Sequence, residues 1–428
     1  MTSSEPQGTS AAILKRDRKV LLPVYPRYDV VFTGGSGVYL VDENGRRYLD
    51  TVSGLGVNAL GYAHPRMVEA MRDQAGKLIH LSGHYGSAYP GALAEKLCDL
   101  TGMSAAFYAT GGTEAMESAL KLARSAAHDG YGPHKHVFVS LKNSYHGRTF
   151  GAVSVTGQDK YREGFGPALP PARFVSRNNI TELRAAVDDD VCAILIEPVM
   201  GEGGVHECST EFLQEARRLA DLHHAALIFD EIQCGLGRTG SWFTYLDHNV
   251  QPDILVVGKP LGGGLPLSAI LVAQHLKNVL TIGKHGSTLG GGVLATRLGL
   301  EFLAVMEEEG LLDRIRQTGA HLRKGLLQLA AEHAVVDEAR GRGLIQGLVL
   351  REPARPIAES ALAPAPGDGL LLNVIQGHII RFLPPFLLET RHADEVLDRL
   401  NTLLRAKAPI AEVAQFVPVP VALSAGGD

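Results

Sequence analysis

The sequence predicts an α/β protein, with a large domain built on a mostly parallel sheet sandwiched by helices and joined to a smaller α+β domain. Three observations point there. From about Phe107 to Leu300, short apolar runs alternate with amphipathic segments of helical period, the pattern of repeated strand–helix units. Several of those runs, among them "CAILIEP" and "DILVVGK", are apolar at consecutive positions, as strands must be when helices cover both faces of the sheet. Beyond that region a helix-rich stretch to about Ala331 gives way to short strands around "GLIQGLVL" and "HIIRFLP" and a closing helix, "ADEVLDRLNTLLRAK".

Taken in order, residues 1–20 open with the polar "MTSSEPQGTS" and read as a disordered or loosely held N-terminus. Residues 21–60 contain "GVYLVDENGRRYLD", two short alternating runs around a Glu-Asn-Gly turn signal, which reads as a hairpin. A lone hairpin cannot bury its own face, so this segment is expected to pack with the smaller domain. The large domain spans 61–305. It begins with "HPRMVEAMRDQAGKLIH", helical by apolar spacing with a proline at the first turn. It continues through "AAFYAT", the helix "TEAMESALKLARSAA", "HVFVSL", "CAILIEP", the helix "TEFLQEARRLADLH", "AALIFDE", "DILVVGK" and "LSAILVA". The smaller domain spans 306–407, and within it the proline- and alanine-rich "REPARPIAESALAPAPGDG" reads as a surface excursion. The tail, 408–428, is apolar but broken by prolines and has no assigned place.

Composition excludes several classes of function. A net charge of −5 gives no reason to expect nucleic acid or an anionic membrane as partner. The four cysteines form no CxxC pair and no disulfide framework, which suits a reducing cytoplasm. The N-terminus carries no apolar signal region, and no apolar run approaches the roughly twenty residues a bilayer requires. The 49 glycines, many of them clustered, imply tight turns and close backbone approaches around a ligand.

The candidate chemistry starts with Asp230, at the end of the apolar run in "ALIFDEIQCG", and Lys259, at the end of the next one. If those strands are neighbours, carboxylate and amine face one cleft at the carboxyl edge of the sheet, where such folds bind ligands. An amine there can lose its proton through desolvation and attack a carbonyl to form a Schiff base. A carboxylate there can keep a pyridine nitrogen protonated, so the pair suggests pyridoxal phosphate. A buried Lys–Asp ion pair would leave the same trace. "YATGGTEAMESALKLAR" places Gly112 and Thr113 where a strand meets a helix, a cradle for phosphate or a plain turn with an N-cap. "KHGSTLGGG" offers Ser287 and Thr288 among glycines, again suited to an anion. In "KNSYHGRTF", Tyr145 can stack on a ring and Arg148 can clamp a carboxylate, or they are a core aromatic and a surface ion pair. No metal site is expected, since His64, His80 and His84 lack ligand partners at a recognised spacing. No GxGxxG directly follows a strand, and no GxSxG appears.

Taken together, these segments resemble the class III aminotransferases, pyridoxal-phosphate enzymes of fold type I, and within them the acetylornithine and ornithine branch. The likeness runs from about Leu21 to Lys407 and is carried by "SYHGRTFGAVSVTGQDKYREGF", "IEPVMGEGGVHECSTEFLQEARRLA", "LIFDEIQCGLGRTGSWF", "PDILVVGKPLGGGLPLSAIL" and "HGSTLGGG". It implies that Lys259 forms the Schiff base with pyridoxal 5'-phosphate and later shuttles a proton. Asp230 would pair with the pyridine nitrogen, and Gln233 would lie near the phenolic oxygen. Tyr145 and Ile232 would cover the two ring faces. Gly112 and Thr113 would hold the phosphate, and Thr288 would reach it from the other subunit of a homodimer. For substrates, the resemblance assigns Arg381 to an α-carboxylate and Glu202 to neutralising Arg381 when an amino end is presented. It gives Arg148 the donor's carboxylate and puts Tyr25 in the same pocket. The implied reaction moves the δ-amino group of N2-acetyl-L-ornithine to 2-oxoglutarate. Ornithine, N-succinyl-diaminopimelate and 4-aminobutyrate remain alternative donors, and a noncatalytic binding or scaffold relative is the alternative of a different class.

The chain also departs from that branch. Where "NSGAEANE" is common it has "TGGTEAME", with Thr113 for alanine and Met116 for asparagine. Gly292 and Val293 replace Asn-Pro in "STLGGGVLA", Cys234 stands where threonine is usual, and "HLSGHYGSAYPGALA" differs from the commoner pocket segment. These changes bear on the amino donor and leave the reaction class as it is.

Overall fold

The computed structural model describes residues 9–166, 170–362 and 367–406. Within them, the central sheet has seven strands, ordered Ala105–Ala109, Ser268–Val272, Ile254–Val257, Ala226–Asp230, Val191–Ile196, Val137–Leu141 and Ala172–Val175. Ser268–Val272 runs antiparallel to both of its neighbours, and the other strands all point the same way. The exception has a plain cause. A parallel crossover needs about a dozen residues or more, and only the single turn Lys259–Gly262 and a few residues link Val257 to Ser268, so the chain must reverse.

Consecutive residues of a strand point to opposite faces, and both faces are covered. Ile254 and Val256 pack with Ala115, Met116, Ala119 and Ala123 of the helix Gly112–Tyr131. Leu255 and Val257 join a second cluster with Phe212 and Leu219 of the helix Thr210–Leu222 and Phe302 of the helix Val293–Glu308. This two-sided burial, at roughly 1.5–3 kcal/mol for each large side chain taken fully from water, is why the strands read as unbroken apolar runs. The edge strand Ala172–Val175 has no such run. It is half-buried and carries Arg173, so its pattern gave no signal.

A four-stranded antiparallel sheet follows from the C-terminal segments, in the order Val336–Arg342, Ile345–Leu350, Ile379–Phe382, Asn373–Ile375. The N-terminal hairpin forms with Tyr39 opposite Leu49 and Val41 opposite Arg47. Phe32–Ser36 extends it on one side, and on the other Gly369–Leu371 pairs in parallel with Arg47–Asp50, so a late strand completes an early sheet. No helix among the described residues is long and apolar enough to cross a membrane.

Two segments differ from expectation, and a third holds a helix to which the sequence pattern gave no element. Ser10–Val20 is a helix capped by Thr9, although none of its residues is buried, so the stretch expected to be disordered or loosely held has local order and few anchors. Arg355–Leu362, expected to be part of a surface excursion, is a helix burying Ile357, Ala358 and Ala361. Its proline, Pro356, sits in the first turn, where the missing N–H costs nothing. Likewise the helix Ala88–Thr101 starts within "GSAYPGALA", with Pro90 in its first turn. Residues 1–8 and the tail 408–428 lie outside the described residues.

One glycine joins sheet and site. A methyl group on Gly157 would lie 1.9 Å from the Leu141 carbonyl oxygen at the end of its strand, while Gly157 O accepts the Asn143 N–H at 2.9 Å. Neither backbone can retreat without losing that bond. Gly157→Ala is expected to cost roughly 1–3 kcal/mol of stability, as overpacking of this kind does. It should lower the urea midpoint with little change in slope; an unchanged midpoint would show that the 143–157 loop yields freely.

Candidate active site

A cavity of about 490 Å³ opens at the carboxyl edge of the central sheet. Register explains its contents. Ile228 pairs with Ile254 and Asp230 with Val256, so Asp230 and Lys259 leave adjacent parallel strands at the same edge, and both line the cavity. The loop after Val137–Leu141 brings in Tyr145 and Arg148, and the start of the helix Gly112–Tyr131 brings in Gly112 and Thr113. Ile232, Gln233 and Glu202 complete the set of expected residues that the chain gathers there.

Asp230 is buried, and both its oxygens are engaged. Oδ2 accepts from His146 Nδ1 at 2.8 Å, and Oδ1 accepts the Ile232 N–H at 3.1 Å. His146 is itself fixed: its N–H donates to Thr156 Oγ1 at 2.9 Å, and its Nε2 lies 3.3 Å from Ser140 Oγ. Glu197, just past the end of Val191–Ile196, accepts the Tyr145 N–H at 2.9 Å. Burial pushes its carboxyl up to about 7; His146 opposes that rise and Asp230 adds to it. Neither His146 nor Glu197 was given a role from the sequence. His146 stands directly after the aromatic Tyr145, and Glu197 showed only as a charge interrupting an apolar run.

Lys259 has φ +47, an uncommon backbone conformation for a residue with a side chain. It follows Gly258 and opens the tight turn Lys259–Gly262 that reverses the chain. Burial depresses its amine's pKa below 10.5, and the positive charge of Arg381 adds to the effect; Glu202, Asp230 and Glu197 pull the other way. Among the described residues no hydrogen bond or salt bridge holds its Nζ. An amine so placed is shifted toward its neutral, nucleophilic form.

Arg381 comes from the C-terminal sheet, fully buried on the strand Ile379–Phe382. Its Nε donates to Asn373 Oδ1 at 3.0 Å, and one terminal nitrogen reaches both Gln233 Oε1 at 3.0 Å and Glu202 Oε1 at 2.6 Å. Glu202 sits in the turn between the short strands Val199–Met200 and His206–Glu207. The glycine before it is needed because a methyl on Gly201 would fall 1.7 Å from Gln233 Oε1.

At the helix start, Gly111 is extended and unwinds the chain from the strand before it. The first N–H groups of a helix have no partner within it, and the helix dipole adds positive potential, so the Gly112 and Thr113 N–H groups can hold an anion. A methyl on Gly112 would come within 2.9 Å of Ile232 Cδ1, so the backbone lies bare against the cavity. The Arg148 guanidinium lies over the Tyr161 ring at 3.8 Å and farther from Tyr145, at 5.4 Å. Tyr161 was not singled out from the sequence. Tyr25 and Thr288 are not in the group: both are exposed, and neither lines this chain's cavity. Ser287, beside Thr288, donates to Glu114 at 2.7 Å.

Fold and site together define a pyridoxal-phosphate-dependent transferase of fold type I. The chain matches the family described as Aminotransferase class-III over residues 24–404 and belongs to it. It is 41% identical over 389 residues to an acetylornithine aminotransferase of Caldanaerobacter subterraneus subsp. tengcongensis, covering 91% of this chain and 98% of that one. It is 40% identical over 385 residues to an acetylornithine aminotransferase of Aquifex aeolicus, covering 90% and 99%. Among solved structures, the ornithine aminotransferase of Toxoplasma gondii ME49 superposes with a TM-score of 0.88 at 30% identity, covering 94% of this chain and 96% of that one.

The residues fit the family's cofactor. A buried carboxylate, a lysine with a depressed pKa and a helix start whose first N–H groups face the cavity line one site, matching a ring nitrogen, an aldehyde and a phosphate.

The raised carboxyl of Glu197 sets a pH-dependence for the cofactor-free protein. Its folded pKa, about 7, lies above the ordinary 4.5, so the folded state holds the proton more tightly. Its contribution to stability therefore falls as pH rises from about 4.5 to 7 and stays low above that. Glu197→Gln keeps an acceptor for the Tyr145 N–H and removes the titration. Relative to the parent, the variant should gain stability in denaturant melts across that window; a constant difference from pH 4.5 to 8 would contradict the assignment.

Proposed function

We propose that this aminotransferase moves the δ-amino group of N2-acetyl-L-ornithine to 2-oxoglutarate, giving N-acetyl-L-glutamate 5-semialdehyde and L-glutamate, in arginine biosynthesis. The observation that carries the reading is the 2.6 Å pair between Glu202 and the buried Arg381, beside Lys259. A δ-amino donor presents no carboxylate next to its reacting carbon, and a bare buried guanidinium would face it unpaired. Glu202 neutralises that guanidinium. The 2-oxo acid does carry a carboxylate there, and Arg381 can take it once Glu202 swings aside. One pocket thus serves both half-reactions. The names of the relatives at about 40% identity support the acetylated donor. The likeness to an ornithine aminotransferase structure favours free ornithine as the second reading.

Bound pyridoxal 5'-phosphate supplies an aldehyde that takes up amino groups and a ring that accepts an electron pair from the carbon bearing them. The chain's residues do the rest. Lys259 Nζ provides the resident amine and then carries a proton from the donor's δ-carbon. Asp230, oriented by His146, would hold a proton on the ring nitrogen. Tyr145 and Ile232 would hold the ring between them, and Gln233 would serve its phenolic oxygen. Gly112 and Thr113 N–H groups hold the phosphate. Arg148 holds the donor's distant carboxylate, with Tyr25 closing the same pocket. Thr288 reaches the phosphate of a second copy, which makes the working unit a homodimer with composite sites. We place the enzyme in the cytoplasm, a location supported by its four free cysteines.

Three measurements test this reading. Lys259→Ala should lower turnover by about 10⁴-fold or more, the scale of losing the nucleophile and proton carrier together; substantial residual activity would refute its role. Glu202→Gln should reduce kcat/KM for the δ-amino donor roughly 10- to 100-fold, the worth of a charge-assisted hydrogen bond, and spare the 2-oxoglutarate half-reaction. Equal losses in both would remove the switching role. A panel of ω-amino donors with 2-oxoglutarate, read by glutamate formation, should rank the acetylated compound first. Preference for free ornithine or 4-aminobutyrate would overturn the named donor.

A further inference from the structure

We propose that the Thr113 side chain serves the loop carrying Arg148 rather than the cofactor's phosphate, making Thr113 a positioning residue for the substrate carboxylate. The inference rests on the reading that Arg148 holds that carboxylate.

A hydroxyl has one proton to give and two lone pairs to share. Thr149 Oγ1 lies 2.5 Å from Glu117 Oε1, an acceptor, so the Thr149 proton goes there. The 3.0 Å contact between Thr113 Oγ1 and Thr149 Oγ1 must then use the Thr113 proton. Thr113 Oγ1 also accepts the N–H groups of Arg148 at 3.1 Å and of Thr149 at 3.2 Å. Its hydrogen-bonding capacity is full, and its only proton is committed to Thr149 Oγ1. Thr113 can therefore meet a phosphate through its backbone N–H alone.

The same helix face anchors the loop twice. One turn after Thr113, Glu117 Oε1 also accepts the Ala152 N–H at 3.0 Å. Two glycines permit the approach. A methyl on Gly147, whose φ is +132, would lie 2.3 Å from Thr113 Oγ1, and one on Gly151 would lie 2.3 Å from Glu117 Oε2. Arg148 is exposed, rests on Tyr161 and pairs with no carboxylate among the described residues. Its main-chain direction is set at its own N–H and the next one, and both end on Thr113. Phosphate site and carboxylate clamp are thus built on one helical turn, and this hydroxyl sets the offset between them.

The test uses the holoenzyme and compares Thr113→Val, Thr113→Ser and Arg148→Gln with the double variant Thr113→Val/Arg148→Gln. Valine keeps the shape of threonine without its hydroxyl, and serine keeps the hydroxyl. Glutarate, an unreactive dicarboxylate, probes carboxylate binding by calorimetry. Thr113→Val should weaken glutarate binding and raise the donor's KM about 5- to 10-fold, with kcat and the cofactor's dissociation constant within about 2-fold, as expected for lost hydrogen bonds that act through Arg148. Thr113→Ser should restore parental values, and the double variant should be no worse than Arg148→Gln alone. A raised cofactor dissociation constant with unchanged glutarate binding by the fully loaded variant would return the hydroxyl to the phosphate and overturn the proposal. Additive losses in the double variant would overturn it too. If Arg148→Gln alone leaves glutarate binding and donor KM unchanged, the underlying reading of Arg148 fails, a result separable from any effect at Thr113.

Discussion

Two adjacent parallel strands in fixed register govern this molecule. Ala226–Asp230 and Ile254–Val257 are buried on both faces, and a slip of one residue would turn every side chain to the opposite helical layer. That cost locks Asp230 and Lys259 at the same edge. The short turn after Val257 adds a second constraint, because it forces the chain to reverse at the residue that bears the amine. The left-handed backbone of Lys259 is the local consequence, held in place by packing that the whole sheet supplies.

Around that edge the protein manages an unusual density of buried charge. Asp230 is matched by His146, Arg381 by Glu202, Gln233 and Asn373, while Glu197 is left with a raised pKa and a backbone N–H. Lys259 alone is left without a partner among the described residues. An unpaired cation in a desolvated cavity is costly, so the environment shifts the amine toward neutrality, the form that the proposed chemistry would use. Arg381 arrives from the C-terminal sheet and Glu202 from a turn off the central one, so under the proposed function substrate charge would be read where two parts of the chain meet.

The large-scale plan was legible because it rests on apolar periodicity, which two-sided burial makes strong. The strands leading to Asp230 and Lys259 and the helix starting at Gly112 were all visible that way. What escaped had weaker physical signatures. Ala172–Val175 is an edge strand without a fully apolar run, and the helices at Ala88 and Arg355 were hidden by prolines that mark first turns as readily as loops. His146, Glu197 and Tyr161 act through partners distant in sequence, which no local pattern encodes. Thr113 is the instructive case: the sequence located it at the anion cradle, but only the tally of its hydrogen bonds turns its hydroxyl toward Arg148.

The central claim is that the Lys259 amine, and no other, bonds covalently to the cofactor. Borohydride reduction of the holoenzyme followed by peptide mapping tests it directly. The account predicts a single pyridoxyl-phosphate adduct, on the peptide containing Lys259. An adduct on a different lysine, or none in protein fully loaded with cofactor, would contradict it.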